Sequence, residues 1–209
     1  MHYSITDIIF DLGKVIVPFD WEIAFSRLAG RVAPEVARWV THDRQTFIDK
    51  ITGPVIDMER GLITFTEFHS LLRDIIGLDA SLDEFRDIWC DIFWLNQDVV
   101  KLGTELAKRY PCWLMSNTNR AHYEWIMARF PSVVFYRQAA LSYKLGFMKP
   151  ERAYYEKALE LFGVNPQRAV FIDDIQENLD GAAVFGIRTI RFENAKSLMR
   201  GLNDLGVIV

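Results

Sequence analysis

The sequence predicts an α/β fold, a parallel sheet core split after its first strand by an all-helical insertion. Three observations predict it. The run Ile8–Ile16 is bulky and apolar, broken mainly by Asp11 and Gly13. Such a run reads as a strand buried on both faces, as in a parallel sheet. Residues 17–94 then carry apolar positions at helical spacing. After residue 96, short apolar runs alternate with amphipathic segments, the pattern of parallel strands joined by right-handed helical crossovers. The predicted core is therefore residues 1–16 and 95–209, and the insertion residues 17–94.

Each element has its own signal. In the first strand, Asp11 falls near the carboxyl end and Gly13 allows a tight exit. In the insertion, Trp21–Leu28 repeats apolar residues at i, i+3/i+4 and i+7. Pro34 sits where a second helix can start, ahead of Val36, Trp39 and Val40. Residues 41–60 read as helical, interrupted at Gly53-Pro54. Thr64 is followed three residues later by Glu67, a capping-box pattern that opens a helix through Leu72 and Ile76. Ser81 or Asp83 caps the next one, which runs through Phe85, Trp89 and Phe93.

The core resumes with an amphipathic helix over residues 99–110. The strand Cys112–Met115 ends in the polar cluster Ser116-Asn117-Thr118-Asn119, and a helix over 121–130 follows. Residues 139–142 read as a short strand and 143–150 as a loop holding Gly146 and Lys149. A helix closed by Gly163 leads to the strand Ala169–Ile172 and then to Asp173-Asp174. A further helix, closed by Gly186, leads to the strand Arg188–Phe192 and a final helix from Ala195. There is no internal repeat and no low-complexity segment.

Composition narrows the function. Half of the 209 residues are hydrophobic, enough for a packed interior and too many for a disordered chain. The formal charge is −4 and no basic block stands out, so nucleic acid is not an expected partner. No run approaches membrane-spanning length, and no basic segment precedes a long apolar one, so the expectation is a cytoplasmic protein away from membranes. The two cysteines, Cys90 and Cys112, lie in apolar runs and read as buried thiols rather than a disulfide or metal pair.

Three predicted strands end in polar groups: Asp11, Ser116-Asn117 and Asp173-Asp174. Lys149 precedes the helix leading to the last of them. In a parallel sheet these ends converge on one crevice, where such folds bind ligands. Carboxylates from two strands suit Mg²⁺, a hard cation that takes one or two carboxylates plus a phosphate oxygen. A hydroxyl, an amide and an ammonium suit the rest of a phosphate. An Asp so placed can attack phosphorus. Taken singly, Ser116-Asn117 also fits helix capping, Asp173-Asp174 a helix start and Lys149 a solvated charge.

With these residues in this order, the chain resembles the haloacid dehalogenase-like hydrolase superfamily. Phe10-Asp11-Leu12-Gly13-Lys14-Val15 is similar to its first motif, which carries the nucleophile. Leu114-Met115-Ser116-Asn117-Thr118-Asn119 resembles the second, whose Ser and following amide bind phosphate. Gly146-Phe147-Met148-Lys149-Pro150 resembles the third, whose Lys offsets negative charge. Phe171-Ile172-Asp173-Asp174-Ile175-Gln176-Glu177-Asn178 resembles the fourth, whose acids hold Mg²⁺. The resemblance implies a Rossmann-like core with a helical cap of the family's first type. Glu59-Arg60-Gly61-Leu62-Ile63-Thr64 is similar to a cap segment of the bacterial α-D-glucose-1-phosphate phosphatase branch.

The resemblance implies a Mg²⁺-dependent phosphatase acting on a small phosphorylated metabolite, a sugar phosphate among the candidates. Asp11 and Lys149 would be catalytic; Ser116, Asn117 and Lys149 would bind the phosphoryl oxygens. Asp11, the Gly13 carbonyl, Asp173 and Asp174 would bind the metal, with Asp174 the main ligand. Most phosphatases of this family carry a second Asp, an acid–base, where this chain has Gly13. Two other readings follow from that departure: a metal-free 2-haloacid dehalogenase, or a non-catalytic phosphate-binding regulator. Adjacent Asp173 and Asp174 speak against the dehalogenase, because they repel an anionic carboxylate. Cap candidates for specificity are Trp21, Trp39, His42, Phe47 and Glu59. The expected assembly is a monomer or homodimer.

Overall fold

The computed structural model describes residues 4–208. Five parallel strands form one sheet: β1 (Asp7–Phe10), β2 (Cys112–Ser116), β3 (Ala139–Leu141), β4 (Ala169–Asp173) and β5 (Arg188–Arg191), in spatial order β3-β2-β1-β4-β5. β1 is central, with Phe10 paired to Leu114 on one side and Ile172 on the other. The chain leaves β1 for β2 on one flank and later crosses to β4 on the other. That reversal opens a crevice at the carboxyl ends of β1, β2 and β4.

Burial on both faces explains the unbroken apolar runs. Ile8, Phe10, Leu114, Val170 and Ile172 pack on one side of the sheet; Ile9, Trp113, Met115 and Phe171 pack on the other. Successive strand residues point to opposite faces, so neither register can tolerate a polar side chain. The sheet edges differ. β3 has three residues, and β5 is half-exposed and begins and ends in arginine, devices that discourage edge-to-edge pairing.

Six helices lie between β1 and β2, and the first five form a layer: α1 (Trp21–Leu28), α2 (Pro34–His42), α3 (Arg44–Glu59), α4 (Phe65–Ile76) and α5 (Leu82–Cys90). They share an apolar cluster of their own, which includes Phe25, Phe47, Phe68, Phe85 and Trp89. Asp20 caps α1, and α4 and α5 open with full capping boxes, Thr64 with Glu67 and Ser81 with Glu84. Such caps satisfy the first free N–H groups of a helix. Ser81, not Asp83, is thus the cap.

The segments entering and leaving this helical layer pair with each other. Phe19 bridges Phe93, Asp20 N–H donates to Ile92, and Trp94 N–H donates to Pro18. Phe93 therefore belongs to the return segment and not to α5, which stops at Cys90.

After β2 come α7 (Arg120–Arg129), α8 (Ser142–Leu145), α9 (Arg152–Phe162), α10 (Gln176–Ala183) and α11 (Ala195–Asp204); α6 (Gln97–Ala107) precedes it. Four expectations need correction. Pro54 does not interrupt α3, because Phe47, Ile51 and Met58 bury one face across it and outweigh one lost backbone bond. Residues 143–150 are not all loop: α8 occupies the start and ends at Gly146 in the left-handed region. The first strand stops at Phe10, so Asp11 stands just past it. The tight exit falls on Lys14, with φ 56°, while Gly13 keeps ordinary φ. A Cβ at Gly13 would lie 3.2 Å from the Phe19 ring, a tight contact that a small shift of the ring relieves.

Candidate active site

The sheet brings the predicted site residues together. Lys149 Nζ donates to Asp11 Oδ1 at 2.8 Å, to Asp173 Oδ2 at 2.7 Å and to the Met115 carbonyl at 3.2 Å. Its side chain is 1% exposed, and those of Asp11 and Asp173 are 9% and 0%. Two carboxylates and one ammonium buried together leave a net negative charge. Burial pulls the Lys149 pKa down, but the two carboxylates outweigh it and hold the ammonium above its usual value. Burial pushes the Asp11 carboxyl up, to about 7; Lys149 opposes the shift and Asp173 reinforces it.

Asp173 is saturated by other contacts. Asn178 Nδ2 lies 3.1 Å from both of its oxygens, and the Ile175 N–H donates at 2.8 Å. Asp174 is half-buried, its carboxyl raised by burial and by Asp173. Asp11, Asp173 and Asp174 each offer an oxygen within 4.8 Å of the others. Carboxylate oxygens so grouped suit a hard divalent cation, and those of Asp11 and Asp174 are the freer ones. The Gly13 carbonyl already accepts from Val15 N–H at 2.7 Å, which leaves one lone pair.

Ser116 is 2% exposed at the end of β2. Asn117 does something the sequence did not indicate. Its Oδ1 accepts from Lys149 N–H at 2.8 Å and its Nδ2 donates to Lys149 O at 2.9 Å. Its side chain therefore clamps the Lys149 backbone and is not free to hold a phosphate. Its own backbone N–H has no acceptor among the described residues, so the amide that remains for a ligand is the main-chain one. Ser142, also unforeseen, donates to Thr118 O and accepts from Thr118 N–H, which fixes the loop after β2.

Of the five predicted specificity residues, two reach the site. Trp21 and Glu59 line a cavity of about 60 Å³ together with Leu12, Gly13, Ser116 and Asn117. Phe47 is fully buried in the helical layer and Trp39 packs against that core. His42 faces solvent beside the Thr41 hydroxyl.

His122 lines the same cavity and was missed by sequence reasoning. Its Nε2 lies 3.2 Å from the Trp89 carbonyl, which can only accept, so Nε2 carries the proton; Nδ1, 3.0 Å from Asn119 Nδ2, accepts. Burial lowers its pKa from 6.5 to about 4, so it is neutral. A depressed histidine stabilises the fold above pH 6.5, and that contribution is lost as pH falls toward 4. The loss should total about 3 kcal/mol. His122→Gln should remove this slope, so urea melts of wild type and variant should converge over that window. A difference independent of pH would refute it.

The buried carboxylate–lysine cluster at the carboxyl edge of a parallel sheet has the form of an α/β enzyme site. A model for the haloacid dehalogenase-like hydrolases matches residues 8–186, and the chain belongs to that family. It is 28% identical over 200 residues to the D-ribitol-5-phosphate phosphatase of Bacteroides thetaiotaomicron, covering 91% of this chain and 93% of that one. A HAD family enzyme from the same organism, solved with magnesium, superposes with TM-score 0.80 at 25% identity, covering 92% and 95% of the two chains. A HAD-like hydrolase from Porphyromonas gingivalis superposes with TM-score 0.82 at 21% identity, covering 99% and 100%. Among the described residues, no helix is long and apolar enough to cross a membrane, and Cys90 and Cys112 are buried free thiols.

Proposed function

We propose that this chain is a Mg²⁺-dependent phosphatase that hydrolyses a small phosphorylated metabolite, a sugar or polyol phosphate, through an aspartyl-phosphate at Asp11. The carrying observation is the Lys149 ammonium buried between Asp11 and Asp173, with Asp174 beside them. The magnesium-bound neighbour and the D-ribitol-5-phosphate phosphatase relative support it. Helices α1 to α5 act as a cap over the site.

Asp11 attacks phosphorus with a carboxylate oxygen, the ester oxygen leaves, and water later hydrolyses the acyl phosphate. Lys149 holds Asp11 in place and offsets charge on the phosphoryl oxygens. Ser116 Oγ and the Asn117 main-chain N–H bind those oxygens. Asp11, Asp174 and the Gly13 carbonyl would hold Mg²⁺, which neutralises charge on the transferring group. With its contacts already spent, Asp173 serves as the anchor of Lys149.

Assays of phosphate and halide release, each with Mg²⁺ and with chelator, test this reading. Phosphate release that needs Mg²⁺ is expected. Halide release in chelator would support the dehalogenase, and no turnover at all the regulator. Asp174→Ala should weaken the apparent Mg²⁺ affinity by about 100-fold or more with little change in melting temperature. The sequence alone marked Asp173→Ala as the milder change. That concerns metal dependence; for stability Asp173→Ala should cost more, because it takes one carboxylate from Lys149 and the side-chain acceptor from Asn178. Equal melting temperatures for the two variants would contradict these roles.

Gly13 sets the leaving-group dependence. No acid stands there to protonate the departing oxygen, and such help is worth ~10²–10⁴-fold. Rates should climb steeply as leaving-group pKa falls, and a sugar 1-phosphate should outrun the matching 6-phosphate. Gly13→Asp should flatten the trend once the Phe19 ring shifts by a few tenths of an ångström. Equal chemical-step rates for alkyl and anomeric esters would refute this.

A further inference from the structure

The cavity over the loop after β1 is too small for a whole metabolite. Its volume, about 60 Å³, is roughly that of two waters. Trp21 and Glu59 line it, and both also line an adjoining cleft of about 290 Å³ walled by Phe25, Ile51, Val55 and Trp89. The phosphoryl end fits the small cavity. From a phosphoryl group held at Ser116 and Asn117, the organic part would run past Trp21 and Glu59 into the adjoining cleft.

Glu59 is badly placed for stability. It ends α3, where the helix dipole is negative, and no basic residue occupies that last turn. Among the described residues it has no hydrogen bond or ion pair. Burial alone pushes its carboxyl up, to about 7. The other titratable group lining the small cavity, His122, is neutral and offers Glu59 no charge.

Its position is nonetheless fixed. The next residue, Arg60, pairs with Glu151 of the core at 2.5 Å. Gly61, with φ +71°, packs so closely on the Tyr143 carbonyl that a Cβ would lie 2.1 Å from its oxygen. The chain thus pins an unpartnered carboxylate at the neck between two cavities. Glu59 is half-buried; a carboxylate drawn partly out of water costs stability unless a partner replaces the lost hydration, and a substrate hydroxyl would supply that partner.

Resting on the phosphatase reading, we infer that Glu59 anchors the leaving group: its carboxylate accepts hydrogen bonds from hydroxyls of the substrate's organic part and selects hydroxylated esters over apolar ones. The aromatic and aliphatic walls of the cleft take the C–H faces of the same chain. Of the other polar groups lining the cleft, the Thr52 hydroxyl donates to the Ile48 carbonyl and the indole N–H groups of Trp21 and Trp89 can only donate, so Glu59 is the principal acceptor.

The test compares ribitol 5-phosphate with pentyl phosphate, both primary alkyl esters of five carbons. Wild type with Mg²⁺ should favour the polyol ester in kcat/KM. Glu59→Leu should lose about 10–100-fold on the polyol ester and far less on pentyl phosphate, so that the preference for the polyol ester collapses. Glu59→Gln, whose amide oxygen still accepts, should recover part of the loss. Equal losses on both esters would overturn the anchor, since Glu59 would then act on the shared phosphoryl step. No loss on either would overturn it as well. Wild-type protein that cleaves neither ester, nor any other phosphate, would sink the phosphatase reading along with the anchor.

Discussion

Asp11→Asn should abolish turnover and leave the fold intact, or make it more stable. The amide cannot form an acyl phosphate, so the loss should be on the order of 10⁴-fold or more. The fold should survive because Lys149 keeps Asp173 and the Met115 carbonyl. The stability gain follows from the raised carboxyl. A group whose folded pKa, about 7, exceeds its ordinary value of 3.8 contributes stability below pH 3.8 that is lost as pH rises toward 7. At neutral pH wild type therefore bears the cost of ionising Asp11 in a buried site, and the amide does not. The melting-temperature difference should grow between about pH 4 and pH 7 in metal-free protein. Phosphate release near the wild-type rate would exclude Asp11 as the nucleophile.

Much of this site was legible because strand ends in a parallel sheet are marked twice, by an apolar run and by the polar residue that stops it. Asp11, Ser116 and Asp173 each follow such a run. Lys149 carried no such mark; its order among the other motifs pointed to it. Asn117 and Asn178 were harder to read. Their chemistry suits a ligand as well as it suits a neighbour, and only coordinates show Asn117 bound to the Lys149 backbone and Asn178 to Asp173. His122 sits among apolar helical positions and gave no signal, because its partners, Asn119 and Trp89, include a carbonyl 33 residues away. Among the insertion's candidates, helical periodicity could not separate Phe47 from Trp21. Both lie on apolar faces, and the choice depends on which face meets the core.

The second large effect belongs to Lys149. Lys149→Met keeps much of the side chain's apolar length and removes its charge. Asp11 and Asp173 then face each other in a buried site with no cation between them. Removing one partner of a buried ionic group costs about 3–5 kcal/mol, because the remaining charge is uncompensated. The two carboxylates can reduce that cost by sharing a proton. Asp11 would then be protonated at neutral pH, and a protonated nucleophile does not attack. The variant should therefore melt lower, lose activity at pH 7 and regain part of it as pH rises, provided Mg²⁺ is saturating. The raised Lys149 pKa adds a separate expectation for wild type: the stability it confers is complete below pH 10.5 and declines above it. Coupling can be read directly. Asp173→Asn should destabilise wild type but rescue Lys149→Met, since it removes one of the two repelling charges. Penalties that simply add in the double variant would mean that Lys149 and Asp173 act independently, and the buried cluster would lose its place at the centre of the site.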